Sequence, residues 1–144
     1  MPAKNAKSRR MDAERAAEHY AHDIGCLVTC RAVRNKFQRQ DLFASDVIGK
    51  RWDGTMVYLQ ATAGQDSAVT ARRRKLEKIP WHYDDLVLIC RLIQEQDPDN
   101  KRKKNWFFRV HRFHPMLSGK KRWSTYETDT PVPREWFRAF KEED

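Results

Sequence analysis

The chain has 144 residues, 34% charged and 40% hydrophobic, which is the size and apolar content of one domain with a real core. Lysine and arginine (29) outnumber aspartate and glutamate (20), a formal excess of +9. With a pI near 9.7, nucleic acid is the first partner to consider and an acidic protein or membrane surface the next. Three cysteines, Cys26, Cys30 and Cys90, without close pair spacing exclude a disulfide framework and read as reduced thiols of a cytosolic protein. No window approaches the roughly 18 apolar residues of a membrane span.

Residues 1–9 are polar and basic and read as a flexible N-terminus. MPAKNAKSRR has no apolar stretch behind it and is not a signal peptide. Residues 10–144 read as a single domain, with a C-terminal extension from about residue 115. A helix is predicted over residues 10–25, because Ala13, Ala16, Ala17, Tyr20, Ala21 and Ile24 recur on one helical face. Gly25 stops it. Glu14 and Glu18 lie together on the border of that face.

Residues 26–33, CLVTCRAV, form a strand, and residues 34–40 a basic link holding Phe37. Residues 39–62 read as two strands joined by a turn at Asp53-Gly54, a strong hairpin signal between apolar runs. Asp46 lies on the first of these strands. On the second, residues 56–62, Tyr58, Gln60 and Thr62 share one face and Val57, Leu59 and Ala61 the other. A polar residue at the end of a buried strand needs a partner or a task. Asp46 and Gln60 are expected to meet across the hairpin and hold a metal ion.

A turn at Gly64 leads to a second helix over residues 67–79, with a thin apolar face and a basic one carrying Arg72, Arg73, Arg74, Lys75 and Lys78. Pro80-Trp81 ends it. Residues 85–93, DLVLICRLI, fit a central strand covered on both faces. Residues 94–105 read as a polar loop with Lys101, Arg102, Lys103 and Lys104, and residues 106–113 as a further strand paired with the preceding one. Residues 115–133 look irregular, with Lys120, Lys121 and Arg122 beside Trp123. Pro133 opens a short last helix whose Trp136, Phe137 and Phe140 dock on the body. The order is helix, three strands, helix, two strands, short helix. That is an α/β domain with a mixed central β-sheet flanked by helices.

With these residues, the order resembles the PD-(D/E)XK nuclease superfamily, and within it the Holliday-junction resolvases and their phage relatives. The likeness spans residues 10–112 in element order. Asp12-Ala13-Glu14-Arg15 resembles the first-helix acidic segment, Asp46-Val47-Ile48-Gly49 the Asp followed by two aliphatics and a small residue, and Tyr58-Leu59-Gln60-Ala61-Thr62 the aliphatic pair before Glu-x-Lys. The resemblance implies a restriction-endonuclease-like fold and a metal-dependent endonuclease that hydrolyses DNA phosphodiesters. Its catalytic positions would be Glu14, Asp46, Gln60 and Thr62. Mg²⁺ or Mn²⁺ would be held by Asp46, Gln60, the Ala61 carbonyl, and Glu14 or Glu18 directly or through water. Asp41 rivals Asp46 as the ligand. Branched or single-stranded DNA, a homodimer, no membrane, and a cytoplasmic location (at the nucleoid or in a phage-infected host) complete the implication. Two positions depart from the pattern: Gln60 stands for the family's Glu, and Thr62 for its Lys. Some restriction-type relatives also carry Gln at the first position. Threonine supplies no positive charge, and Arg72 or Lys75 is the expected replacement.

Three basic segments, Arg72 to Lys75, Lys101 to Lys104, and Lys120 to Arg122, are expected to contact phosphates. Trp106, Trp123 and Phe37 lie beside them, where unpaired bases stack. Each residue has a plainer counterpart. Asp46 serves as a structural hydrogen-bonding carboxylate, Gln60 as an amide bonded to backbone, Thr62 as an ordinary strand residue, Trp106 as a core anchor, and the charge runs as solvated faces. His19 with His22, and His111 with His114, lack a third ligand for zinc. Two rival functions follow: an inactive nuclease fold that binds nucleic acid without cutting, and a protein-interaction module with a basic surface.

Overall fold

A computed structural model describes residues 6–32 and 43–141. The expected N-terminal tail in part, the link with Phe37, and Asp41 lie outside the described residues. The first helix, α1 (Ala6–Asp23), starts earlier than expected. Its Ala13, Ala16, Ala17, Tyr20 and Ala21 are fully buried. Small side chains at that spacing bring the helix close to the sheet, and Tyr20 meets Phe108 edge-on at 5.9 Å between ring centroids. Gly25, at φ 105°, turns the chain into β1 (Cys26–Arg31).

The hairpin follows as β2 (Val47–Arg51) and β3 (Met56–Thr62). Its turn is closed by the Arg51 N–H on the Thr55 carbonyl (2.9 Å) and by the Thr55 N–H on Asp53 Oδ1 (3.0 Å). Next come α2 (Asp66–Glu77), β4 (Leu86–Gln96), β5 (Lys104–Phe113), β6 (Trp123–Thr125) and β7 (Thr130–Pro131). Among the described residues the strands form one seven-stranded sheet in the order β1-β2-β3-β4-β5-β6, with β7 also on β5. β3 and β4 are parallel, joined across α2, and every other pairing is antiparallel. The fold is α/β with a mixed sheet, as the element order implies.

The two faces carry separate cores. α1 covers Val57, Leu59, Ala61, Leu88, Cys90, Phe108 and Val110. On the other face, Val69 and Leu76 of α2 meet Val87, Ile89 and Phe113, with Tyr58, Trp81 and Trp123 at the border. The alternation expected along β3 is therefore present.

Several expected boundaries differ. β4 and β5 run well into the expected loop, because Gln94, Glu95 and Gln96 pair with Trp106, Asn105 and Lys104. A backbone ladder needs no apolar side chains once it leaves the covered part of the sheet. The irregular stretch holds a 3₁₀ turn, Gly119–Arg122, and the two short strands. The last helix shrinks to a 3₁₀ turn, Arg134–Phe137, after which Arg138 is extended. Its aromatic residues still dock: Trp136 stacks over His19 at 6.1 Å and Phe140 over His22 at 3.7 Å. No helix among the described residues is long and apolar enough to cross a membrane.

Candidate functional site

The chain enters β2 through an unusual backbone. Phe43 and Ala44 both sit in the left-handed region, at φ 52° and 56°. For residues with a Cβ this costs about 1–2 kcal/mol each. The Phe43 ring meets Tyr58 edge-on at 6.2 Å, and Tyr58 packs on Trp81 at 4.7 Å. This turn delivers Ser45 and Asp46, both buried, to the head of the hairpin.

Asp46 precedes β2 instead of lying on it. Its N–H donates to the Leu59 carbonyl at 2.8 Å, although the registered partner of Leu59 is Val47. Two residues thus oppose one, which makes a β-bulge. The Asp46 carbonyl accepts the Ala32 N–H at 2.8 Å, tying in the chain just beyond β1. Its carboxylate Oδ2 accepts the Ala61 N–H at 2.7 Å. The side chain therefore takes the place of a ladder partner where β2 leaves β3. In extended backbone the N–H and C=O of one residue project to the same side. The Ala61 carbonyl accordingly faces this same notch. The charge of Asp46 is felt beneath it: burial raises the Cys90 thiol far above its ordinary range, and Asp46 and Glu127 raise it further.

Gln60 and Thr62 are buried and lie on the Tyr58 face, toward α2. Thr62 Oγ1 accepts the Gly64 N–H at 3.0 Å, and a Cβ on Gly64 would sit only 2.7 Å from that of Ala68. The residue expected to be catalytic thus also shapes the tight entry into α2. Glu14 belongs to α1, which packs on the opposite face. Glu18 is occupied with β1: it accepts the Thr29 hydroxyl at 2.8 Å and lies 3.8 Å from Arg31 Nε. The structure thus joins Asp46 to Ala61 in the plane of the sheet, with Gln60 and Thr62 on one face and Glu14 arriving from the other. Among the described residues, no three His, Cys, Asp or Glu side chains gather as metal ligands.

No family model, curated protein or solved structure matches the chain.

The basic residues divide by position. Arg74, Lys75, Lys101, Arg102, Lys103, Lys104, Lys120 and Lys121 are exposed. Arg72 turns back on its own helix, donating to the Ala68 carbonyl at 3.3 Å. Arg122 lies 3.6 Å from Glu77, whose Oε1 also accepts the Trp123 indole N–H at 2.8 Å. Trp123 packs on Phe113 at 5.0 Å, and Trp106 meets Phe137 edge-on at 5.6 Å. Both indoles hold the structure together. His19 Nε2 donates to the Arg138 carbonyl at 2.8 Å, while His22 Nε2 sits 3.0 Å from the Thr29 hydroxyl.

Sequence reasoning passed over Arg91 and Arg109, and weighed His111 only as half of a zinc pair. Counted from Val87, which packs under α2, alternation places Arg91 on that face. Counted from Phe113, it places His111 and Arg109 there as well. Thr62 is registered with Arg91, and Arg91 with Arg109. The available signal was the alternation of charge within RLIQEQ and WFFRVHRF, which means little until the register is known.

Proposed function

We propose that this protein is a DNA-binding, metal-dependent endonuclease of the Holliday-junction-resolvase-like kind, which hydrolyses DNA phosphodiesters. The observation that carries the reading is Asp46, buried on a bulge just after the left-handed Phe43 and Ala44, with its carboxylate against the Ala61 amide. The α-β-β-β-α-β element order, with its one parallel pair after α2, agrees with it.

The donors named here are all oxygens, which suits a hard divalent cation such as Mg²⁺ or Mn²⁺ better than a soft one. When bound, such an ion lowers the pKa of a coordinated water and offsets charge on the scissile phosphate. In this reading Asp46 contributes the negative charge, and its bond to Ala61 fixes the neighbouring carbonyl. Gln60, on the α2 face, would contribute an uncharged oxygen, whereas Glu14 comes from the helix on the opposite face and would act on the ion only through water. Thr62 brings no cation. Arg91 is its strand neighbour and carries charge at that end of the sheet. The exposed lysines and arginines at the three basic segments hold the DNA backbone. A homodimer in the cytoplasm belongs to the same reading, since cutting two strands calls for two sites.

The test is incubation of the purified protein with branched, single-stranded and duplex DNA, with Mg²⁺, Mn²⁺ or chelator. Cleavage that requires metal supports the enzyme. Gln60 and the engaged Thr62 hydroxyl favour one second reading, a nuclease fold that binds without cutting. Salt-sensitive binding without cleavage would support it. Absence of nucleic-acid binding would leave the protein-interaction module.

A further inference from the structure

We propose that the open half of the α2-side sheet face is a phosphate-binding site, built by Arg73, Arg91 and Arg109 around His111, which takes a phosphodiester of the bound DNA strand. This rests on the nucleic-acid reading above but concerns residues outside the three basic segments, Arg73 excepted.

Arg91 and Arg109 stand directly opposite each other in the β4–β5 ladder. Like charges in that position repel and destabilise a sheet. The same ladder sets His111 beside Ile89, one step toward α2. Arg73 reaches down from α2, with Nη2 3.3 Å from His111 Nδ1. A guanidinium can only donate, so Nδ1 accepts and the imidazole proton sits on Nε2. His111 is thereby a neutral donor inside a ring of cations. Its pKa lies below the ordinary value, first through burial, then through the charges of Arg73, Arg109 and Arg91, against which Asp66 acts in the other direction. The field at the imidazole is therefore positive.

Two of the guanidiniums are also held against rings. The Arg73 Cζ lies 5.1 Å from the Trp123 ring centroid, and that of Arg109 lies 5.7 Å from the Phe107 centroid. Aromatic backing fixes the guanidinium planes in a geometry that suits a planar or tetrahedral anion: the Arg109 edge already holds the Asp129 carboxylate through Nε and Nη2, while Arg91 Nε donates to the Gly64 carbonyl at 3.1 Å. The acids nearby are Asp66 on Arg91 (2.6 Å), Asp129 on Arg109 (3.1 Å) and Glu95, which acts on Arg109 at longer range. Asp66 is 94% exposed and Asp129 43%. Asp66 makes a single exposed contact that contributes little, whereas Asp129 holds Arg109 through two bonds (3.2 and 3.1 Å) with which a phosphate has to compete. The buried residues of α2, Val69 and Leu76, sit over Val87, Ile89 and Phe113, which leaves the Arg91–Arg109 row beyond the helix. That row begins at Thr62, so the face adjoins the notch at Asp46.

The experiment compares the full-length wild type with R91Q/R109Q, the charge-preserving R91K/R109K, and K101Q/K103Q. Binding of fluorescein-labelled single-stranded and duplex DNA is read by anisotropy between about 50 and 200 mM NaCl. The glutamine pair should lose about tenfold or more in affinity at the middle of that range. Its log–log salt slope should fall by about 0.7–0.9, the share of the one phosphate the site neutralises. The lysine pair should keep most of the slope, which separates lost charge from a misfolded sheet. In parallel, inorganic phosphate should raise the His111 pKa in the wild type, followed by imidazole NMR, and should not do so in R91Q/R109Q. Wild-type DNA binding that R91Q/R109Q matches, while K101Q/K103Q weakens it, overturns this site and leaves the nucleic-acid reading standing. A phosphate-dependent His111 shift without DNA binding supports the site and overturns that reading. No shift and no DNA binding overturns both.

Discussion

Removing the Asp46 carboxylate tests whether the bulge is held as described. Oδ2 accepts the Ala61 N–H at 2.7 Å, and the residue is 3% exposed. A hydrogen bond to a charged acceptor contributes about 1.5–3 kcal/mol, and a buried donor left unpaired costs about 1–3. Asp46→Ala strips the acceptor from Ala61 and should lose about 2–3 kcal/mol. Asp46→Asn keeps an amide oxygen in the same place and should lose about 1 kcal/mol. With a urea m-value of about 2 kcal/mol/M, the midpoints should fall by about 1–1.5 M and about 0.5 M respectively. Native-state amide exchange should show protection at Ala61 falling in the alanine variant and persisting in the asparagine variant. Equal midpoints for the two variants, with Ala61 protected in both, would refute the account of the notch.

Three further outcomes follow from the packing and the titrating groups. Gly49→Ala should destabilise by about 1–3 kcal/mol, since the new Cβ would lie 2.6 Å from Cys26 Sγ. Cys26→Ala in the same chain should recover part of that loss, so strict additivity in urea titrations would contradict the contact. The pKa values of His111 and His114 are both depressed, chiefly by burial, below their ordinary 6.5. The unfolded chain then takes up more protons as pH falls, so stability is full above about 6.5 and declines below it. Thermal midpoints measured from pH 7.5 down to 5 should drop, and a rise would reverse the assignment. Cys30 is exposed, whereas Cys26 and Cys90 are buried, with the Cys26 thiol pushed up to about 11. A thiol reagent should therefore modify one cysteine quickly in the native protein and all three after unfolding.

The fold was largely legible because its long elements keep a clean period. The alanines of α1 repeat on one face, and β3 alternates between the two cores residue by residue. Asp53-Gly54 announced the hairpin, and Gly54 has the positive φ, 89°, that such a turn demands. The ends of β4 and β5 were hidden because Gln94 to Gln96 lie past the buried part of the sheet, where only backbone pairing remains. The terminal aromatic segment looked helical by composition, but docking Trp136 and Phe140 on α1 holds it as a turn followed by extended chain.

The site was legible only in part. Asp46 stood out by the aliphatic pair after it, and Ala61 entered only through the resemblance; the expected meeting was of Asp46 with Gln60, and the bond the structure shows is from the Ala61 amide to the Asp46 carboxylate. The left-handed turn that leads into the bulge gave no warning, because Phe43 and Ala44 are not residues that favour a positive φ. The arginine pair across β4 and β5 was invisible for a different reason. Arg91 and Arg109 become neighbours only through the register of two strands whose reversal lies several residues away.

Single-turnover cleavage of a labelled four-way junction by the wild type and by Asp46→Asn, each with Mg²⁺ and with chelator, tests the central claim most directly. The account predicts metal-dependent cutting by the wild type, loss of cutting by a variant that remains folded, and DNA binding retained by both. Cutting by Asp46→Asn at the wild-type rate, or none by the wild type under either metal, would contradict it.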